Sequence, residues 1–157
     1  MKLHFWSIGK ANDDYVSNGI TLFTKRITHY YPAEWKIIPA PKNSSALQID
    51  ELKKAEAATI LDILKPADCL ILLDEKGKSI SSEQLSKLII TKAELATKNL
   101  IFLVGGAYGV NDEIIKRANF CWSLSSLVFP HQLVRLILAE QVYRACTIAK
   151  NEKYHHS

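Results

Sequence analysis

Glycine and cysteine are scarce in this sequence, and long apolar runs are missing. The three cysteines, Cys69, Cys121 and Cys146, stand far apart within apolar segments. An odd, scattered set of this kind reads as reduced core residues of a cytosolic protein, and no metal site is expected. No apolar run approaches the roughly 20 residues of a membrane span, so no membrane partner is expected. Met1-Lys2 leads straight into a short strand-like run without a small-residue cleavage site, so no signal peptide is expected. There is no internal repeat and no low-complexity segment. After the first strand, Ser7-Ile8-Gly9-Lys10 offers one glycine only. The absence of G-x-G-x-x-G there argues against a dinucleotide-dependent oxidoreductase. Positive charge is in small excess: the net charge is +4, which is compatible with an RNA partner without specifying one.

What remains is an ordinary globular composition, 48% hydrophobic and 23% charged over 157 residues. That length suits one domain, residues 1–157, with a sizeable core. Strand and helix signals alternate throughout. Residues 3–8 read as a first strand closed by Gly9. Asn12 or Asp13 is placed to cap a helix in which Tyr15, Val16, Gly19, Leu22, Phe23, Ile27 and Tyr30 recur at helical spacing. Tyr31-Pro32 ends it. Residues 35–38 form a short strand, and residues 39–45 a loop in which Lys42 could meet a phosphate or simply be solvated. Ile49, Leu52, Ala55, Glu56, Ile60, Ile63 and Leu64 mark a helix over residues 50–65, stopped by Pro66. Residues 69–73 are apolar throughout, as a strand buried on both faces requires. Residues 74–79 read as a turn. Ser81 and Gln84 form a capping box for a helix reaching Leu95. Residues 99–104 and 121–124 are further strands, separated by a short helix capped by Asn111. Pro130 sits at the first position of the last helix, which extends to Ile148. This alternation predicts an α/β fold with a largely parallel sheet flanked by helices.

Half of the glycines, Gly105, Gly106 and Gly109, fall within five residues, where the apolar run 101–104 stops. Bare backbone at a strand end admits a ligand closely, and also permits a sharp turn. The small hydroxyl residues of the segment 123–126 repeat the idea before the last helix. Ligands of parallel sheets bind beyond the carboxyl ends of strands. Three such ends, at Leu73-Asp74, Val104-Gly105 and Ser123-Leu124, run into small or polar turns. Together they point to a small-molecule pocket.

These same blocks carry a family resemblance. Leu72-Leu73-Asp74-Glu75-x-Gly77-Lys78-x-x-Ser81-Ser82, Gly105-Gly106-Ala107-x-Gly109, Trp122-Ser123-Leu124-Ser125, Pro130-His131-x-x-x-Arg135, Gln141-x-Tyr143-Arg144-Ala145 and Tyr154-His155 resemble the ribosomal large-subunit methyltransferase H family of the SPOUT class. The likeness runs over essentially the whole chain. It implies S-adenosylmethionine as cofactor, N3 of a pseudouridine in a 23S rRNA stem-loop at the ribosomal subunit interface as substrate, a C-terminal trefoil knot, a homodimer and a cytoplasmic location. It implies cofactor contacts at Leu73, Gly105, Leu124, Ser125, Ser126, Leu127, Val128 and Phe129. The side chains agree with that role: Leu73, Leu124, Leu127 and Phe129 can wall an adenine, and backbone at Gly105 and in the loop can hydrogen-bond it. A sulfonium needs no phosphate cradle.

Methylating a uracil-type N3 requires loss of its proton. His131 and Arg135 lie four apart on one helical face near the implied cofactor loop. Arg135 could hold a phosphate or base carbonyls, or form a surface ion pair. Arg144 has Glu140 four residues before it, which favours a helical salt bridge. Tyr154 and His155 are candidates for stacking a base and moving a proton, and the resemblance implies that this tail completes the site, across the dimer. Many relatives carry Arg or Lys where this chain has His156. A non-catalytic RNA- or ribosome-binding module on the same fold is the alternative, and it would bind no cofactor.

Overall fold

The computed structural model describes residues 1–154. The order is β1 (Lys2–Ile8), α1 (Asp14–Ile27), β2 (Ala33–Ile38), α2 (Ile49–Ile63), β3 (Cys69–Ser79), α3 (Ser82–Glu94), β4 (Asn99–Val104), α4 (Asp112–Arg117), β5 (Phe120–Ser123) and α5 (His131–Ala149). The described strands form a five-stranded sheet of order β2-β1-β4-β3-β5, parallel at every pairing. All carboxyl ends therefore reach one edge.

The apolar strands divide between two faces because successive side chains point opposite ways. Leu3, Phe5, Cys69, Ile71, Leu100 and Phe102 join one core with Leu138 and Val142 of α5. Trp6, Ile8, Leu70, Leu72, Ile101 and Leu103 join the other with Ala57 and Ile60 of α2 and Ile114 of α4. On the first face, α5 packs between α1 and α3. There Phe5 stacks on Trp35 and on Phe102, with centroids 4.9 and 5.5 Å apart. Such pairs contribute about 0.5–1.5 kcal/mol beyond simple burial.

Local signals hold at several boundaries. The Ser81 hydroxyl accepts from the Gln84 amide at 3.2 Å, and the Gln84 side chain accepts from the Ser81 amide at 2.9 Å. Asn111 Oδ1 accepts from the Ile114 amide at 3.1 Å. Residues 74–79 are not a simple turn: β3 continues to Ser79, with a break in register between Leu73 and Lys78, both of which face Trp122. The chain loops out over residues 74–77 and returns to pair Ser79 with Ser123. Pro130 is the N-cap of α5 rather than its first residue. Asp13 is the N-cap of α1, yet its side chain makes no cap bond; it accepts from Gln132 instead. Tyr15 and Leu22 lie on the solvent side of α1, whose buried contacts come from Val16, Ile20 and Ile27.

Candidate active site

Beyond the carboxyl ends of β3, β4 and β5 lies a cavity of about 620 Å3, within the usual range for a small-molecule site. Each strand end is shaped by its own residues. At β3, the Asp74 carboxylate accepts from the Lys76 amide at 2.9 Å and curls the loop-out. Gly77 then crosses the β5 backbone so closely that a Cβ would sit 2.7 Å from the carbonyl carbons of Cys121 and Trp122. Backbone cannot yield there, so glycine is obligatory. Its sequence signal was a lone glycine in a polar segment, which does not reveal the crossing.

At β4, Gly106 and Gly109 close a tight turn. The Gly109 amide donates to the Gly106 carbonyl at 3.0 Å, and Gly109 has φ +77°. A Cβ on Gly105 would meet Val110 at 2.9 Å, and one on Gly106 would meet the Glu56 carboxylate at 2.6 Å. Both missing side chains would point into the protein, so packing behind the loop already requires them to be absent. At β5, hydroxyls fold the loop onto itself: Ser123 donates to the Ser125 carbonyl at 3.1 Å, and the Ser125 hydroxyl accepts from the Leu127 amide at 3.0 Å.

Leu73, Gly105, Leu124, Ser125, Leu127, Val128 and Phe129 all line the cavity, and so does His131 at the start of α5. Leu73, Leu124 and Phe129 are half-buried, whereas Leu127 and Val128 are 69% and 87% exposed at the mouth. Ser126 is exposed and is not among the lining residues. Lys53 of α2 and Val134 of α5 also line the space, and no motif in the sequence marks them. Glu56 carries a signal in the sequence, a carboxylate inside the apolar stripe between Leu52 and Ile60.

Arg135 does not line the cavity. It is 3% exposed, not the surface ion pair or the phosphate holder that its position implied. Its guanidinium donates to the carbonyls of Ile8 and Lys10, each at 2.9 Å, and to Asn12 Oδ1 at 2.6 Å. The long side chain reaches past the pocket to the loop after β1. Burial lowers its pKa, since no carboxylate offsets the desolvation. Arg144 does make the expected pair, with Nη2 2.5 Å from Glu140 Oε1. Tyr154 joins that pair: its hydroxyl donates to Glu140 at 3.1 Å, its ring meets Tyr143 at 4.7 Å, and the Arg144 guanidinium lies 4.7 Å from its centroid. Glu140 is nine residues beyond His131, about 13 Å further along the helix. One chain therefore does not bring Tyr154 to its own cavity. His155 and His156 lie outside the described residues.

Comparison with known proteins decides what these strand ends belong to. The family model described as "Predicted SPOUT methyltransferase" matches residues 1–155.

The chain belongs to the SPOUT methyltransferase family.

Among its relatives, the ribosomal RNA large subunit methyltransferase H of Cytophaga hutchinsonii is 51% identical over 99% of this chain and 100% of its own. The proteins of that name from Parabacteroides distasonis and Christiangramia forsetii are 44% and 41% identical, each over 99% of both chains. A solved structure, that of a probable methylase family protein from Haemophilus influenzae, superposes with a TM-score of 0.53. It covers 99% of this chain and 70% of that one at 11% identity, so it is similar in fold alone. This SPOUT chain is an α/β methyltransferase. Among its described residues no helix is long and apolar enough to cross a membrane, and no group of three His, Cys, Asp or Glu side chains could hold a metal ion.

Proposed function

We propose that the protein methylates N3 of a pseudouridine in a 23S rRNA stem-loop at the ribosomal subunit interface, with S-adenosylmethionine as methyl donor. The observation that carries this reading is the convergence of three strand ends on one cavity. Its half-buried walls are Leu73, Leu124 and Phe129, and the β4 and β5 ends beside them are turned tightly enough to present backbone groups. Apolar walls for a purine and backbone partners for its ring nitrogens fit this cofactor, which when bound supplies an electrophilic methyl group. Gly105, Ser125, Leu127 and Val128 complete the contacts, with Ser126 shaping the loop from outside.

N3 must lose its proton for the transfer. His131, exposed at the cavity edge, is placed to accept it directly or through water. Arg135 acts through other groups: it fixes the loop after β1 against α5 and is a positioning residue in this scheme. Tyr154 and His155 serve the cavity of a second copy, which makes the homodimer part of the proposal. The exposed Leu127 and Val128 at the mouth, and Leu133 and Ile137 half-exposed on α5, support an apolar contact there. Val142 contributes nothing to it, being wholly buried within one chain. The family's trefoil knot and a cytoplasmic location belong to the same proposal.

Mass spectrometry of the rRNA loop after incubation with protein and labelled cofactor tests the reading. A single added methyl on the pseudouridine is expected. Cofactor binding without any transfer to ribosomes would point to the RNA-binding alternative. Light scattering at micromolar concentration should give twice the chain mass.

A further inference from the structure

Behind the β4 turn stands a carboxyl group that no described residue pairs. Glu56 lies on the buried stripe of α2, four residues from both Leu52 and Ile60, and is 7% exposed. Its carboxylate is pressed against the bare Cα of Gly106: a Cβ there would fall 2.6 Å from Oε2 and 2.8 Å from Oε1. Gly106 in turn lines the cavity, so the carboxylate and the cavity are separated by one layer of backbone. No hydrogen bond or ion pair to a described residue engages it. Burial pushes the Glu56 carboxyl above its ordinary range. A leucine at this place would pack without that penalty. An unpaired acid behind a ligand cavity ionises most readily when a cation sits in front of it.

We propose that Glu56 sets the charge selectivity of the cavity, favouring a ligand with a sulfonium over the neutral thioether left after methyl transfer. The inference rests on the cofactor reading above. S-adenosylmethionine and S-adenosylhomocysteine share adenine, ribose, ammonium and carboxylate. They differ by one methyl group and one positive charge on sulfur. A negative charge held behind the Gly106 backbone would act on that difference alone. Lys53, Asp74, Glu75, Lys76 and Asp112 also line the cavity. They are exposed or half-exposed, so water and salt screen them far more than Glu56. Gly106 is thus the window through which the carboxylate acts, which gives a functional reason for its missing side chain. Once the methyl has left, the charge match is lost and release of the product is favoured.

The test is calorimetric binding of both ligands to the intact protein and to the near-isosteric Glu56→Gln variant, with Glu56→Asp as a charge-preserving control. At the effective dielectric of a protein site, Glu56→Gln should weaken S-adenosylmethionine about tenfold. S-adenosylhomocysteine should stay within about threefold, and Glu56→Asp should keep most of the selectivity. An analogue with a protonated amine in place of the sulfonium should follow the cofactor, not the product. Equal losses for both ligands, or none, would overturn the proposal and leave the cofactor reading intact. Failure of the intact protein to bind either ligand would overturn both.

Discussion

Arg135 donates to the main-chain carbonyl of Ile8 at 2.9 Å, joining the last helix to the end of the first strand across 127 positions of sequence. The same guanidinium holds Lys10 and Asn12, and the neighbouring Gln132 side chain both accepts from the Asp13 amide at 2.6 Å and donates to Asp13 Oδ2 at 3.2 Å. The loop between β1 and α1 is therefore fastened to the first turn of α5, the same turn that presents His131 to the cavity. A residue singled out for chemistry turns out to support the frame that places it.

Arg135→Ala should leave three acceptors without their donor and cost about 3 kcal/mol or more. Urea unfolding measures it. Arg135→Lys should recover part of the loss, because one ammonium cannot span all three acceptors. A fully stable but inactive Arg135→Ala protein would return the side chain to the reacting groups.

Glycine substitutions should rank by what each missing side chain would meet. Gly77→Ala drives a methyl into the Cys121–Trp122 backbone and should cost at least about 2 kcal/mol. Gly109→Ala has nothing within 4 Å and φ +77°, so only the left-handed strain of about 1–2 kcal/mol applies. Gly105→Val strikes Val110 at 2.9 Å, so lost cofactor binding there would report a deformed loop as well as a filled cavity. Equal stabilities for Gly77→Ala and Gly109→Ala would refute the close crossing of β3 over β5.

Cutting the chain after Lys153 should separate binding from chemistry. Tyr154 packs on Glu140, Tyr143 and Arg144, away from the cavity of its own chain. Cofactor affinity should remain within a few-fold. Methyl transfer should fall roughly a hundredfold or more, the scale of a lost acid–base group. Burial and then Glu140 raise the Tyr154 pKa, so its hydroxyl keeps its proton at neutral pH, and Tyr154→Phe isolates that hydrogen bond. Single-turnover rates on ribosomes decide it; unchanged rates would remove the tail from the mechanism.

Alkaline stability should carry the signature of Cys146. Burial raises its thiol from 9.0 to about 12. The folded state holds the proton more tightly, so this contribution is complete below pH 9 and is lost as pH rises towards 12. Urea midpoints should fall across that window, and less steeply in Cys146→Ala. At pH 8 an alkylating reagent should reach Cys121, half-buried at the cavity, before the buried Cys69 and Cys146. Bound cofactor should slow that reaction; the opposite order would contradict the packing.

The elements themselves were legible in the sequence, because their causes are local. The apolar run of residues 69–73, the Ser81–Gln84 box, the Asn111 cap and the Glu140–Arg144 spacing depend on neighbours a few positions away, and each appears where its pattern placed it. The three strand ends followed from alternation, since a parallel sheet puts every carboxyl end on one edge. Tertiary structure alone decided where long side chains and bare backbones meet partners distant in sequence. Nothing near Gly77 announces the β5 backbone, nothing near Arg135 announces Ile8, and nothing near Glu56 announces Gly106. Helical spacing put Arg135 near His131 but could not say that a flexible side chain would find three carbonyl and amide oxygens before it found solvent. Local propensity sets which elements form; the direction of a charge, and whether it is paired, is set by what the folded chain brings against it.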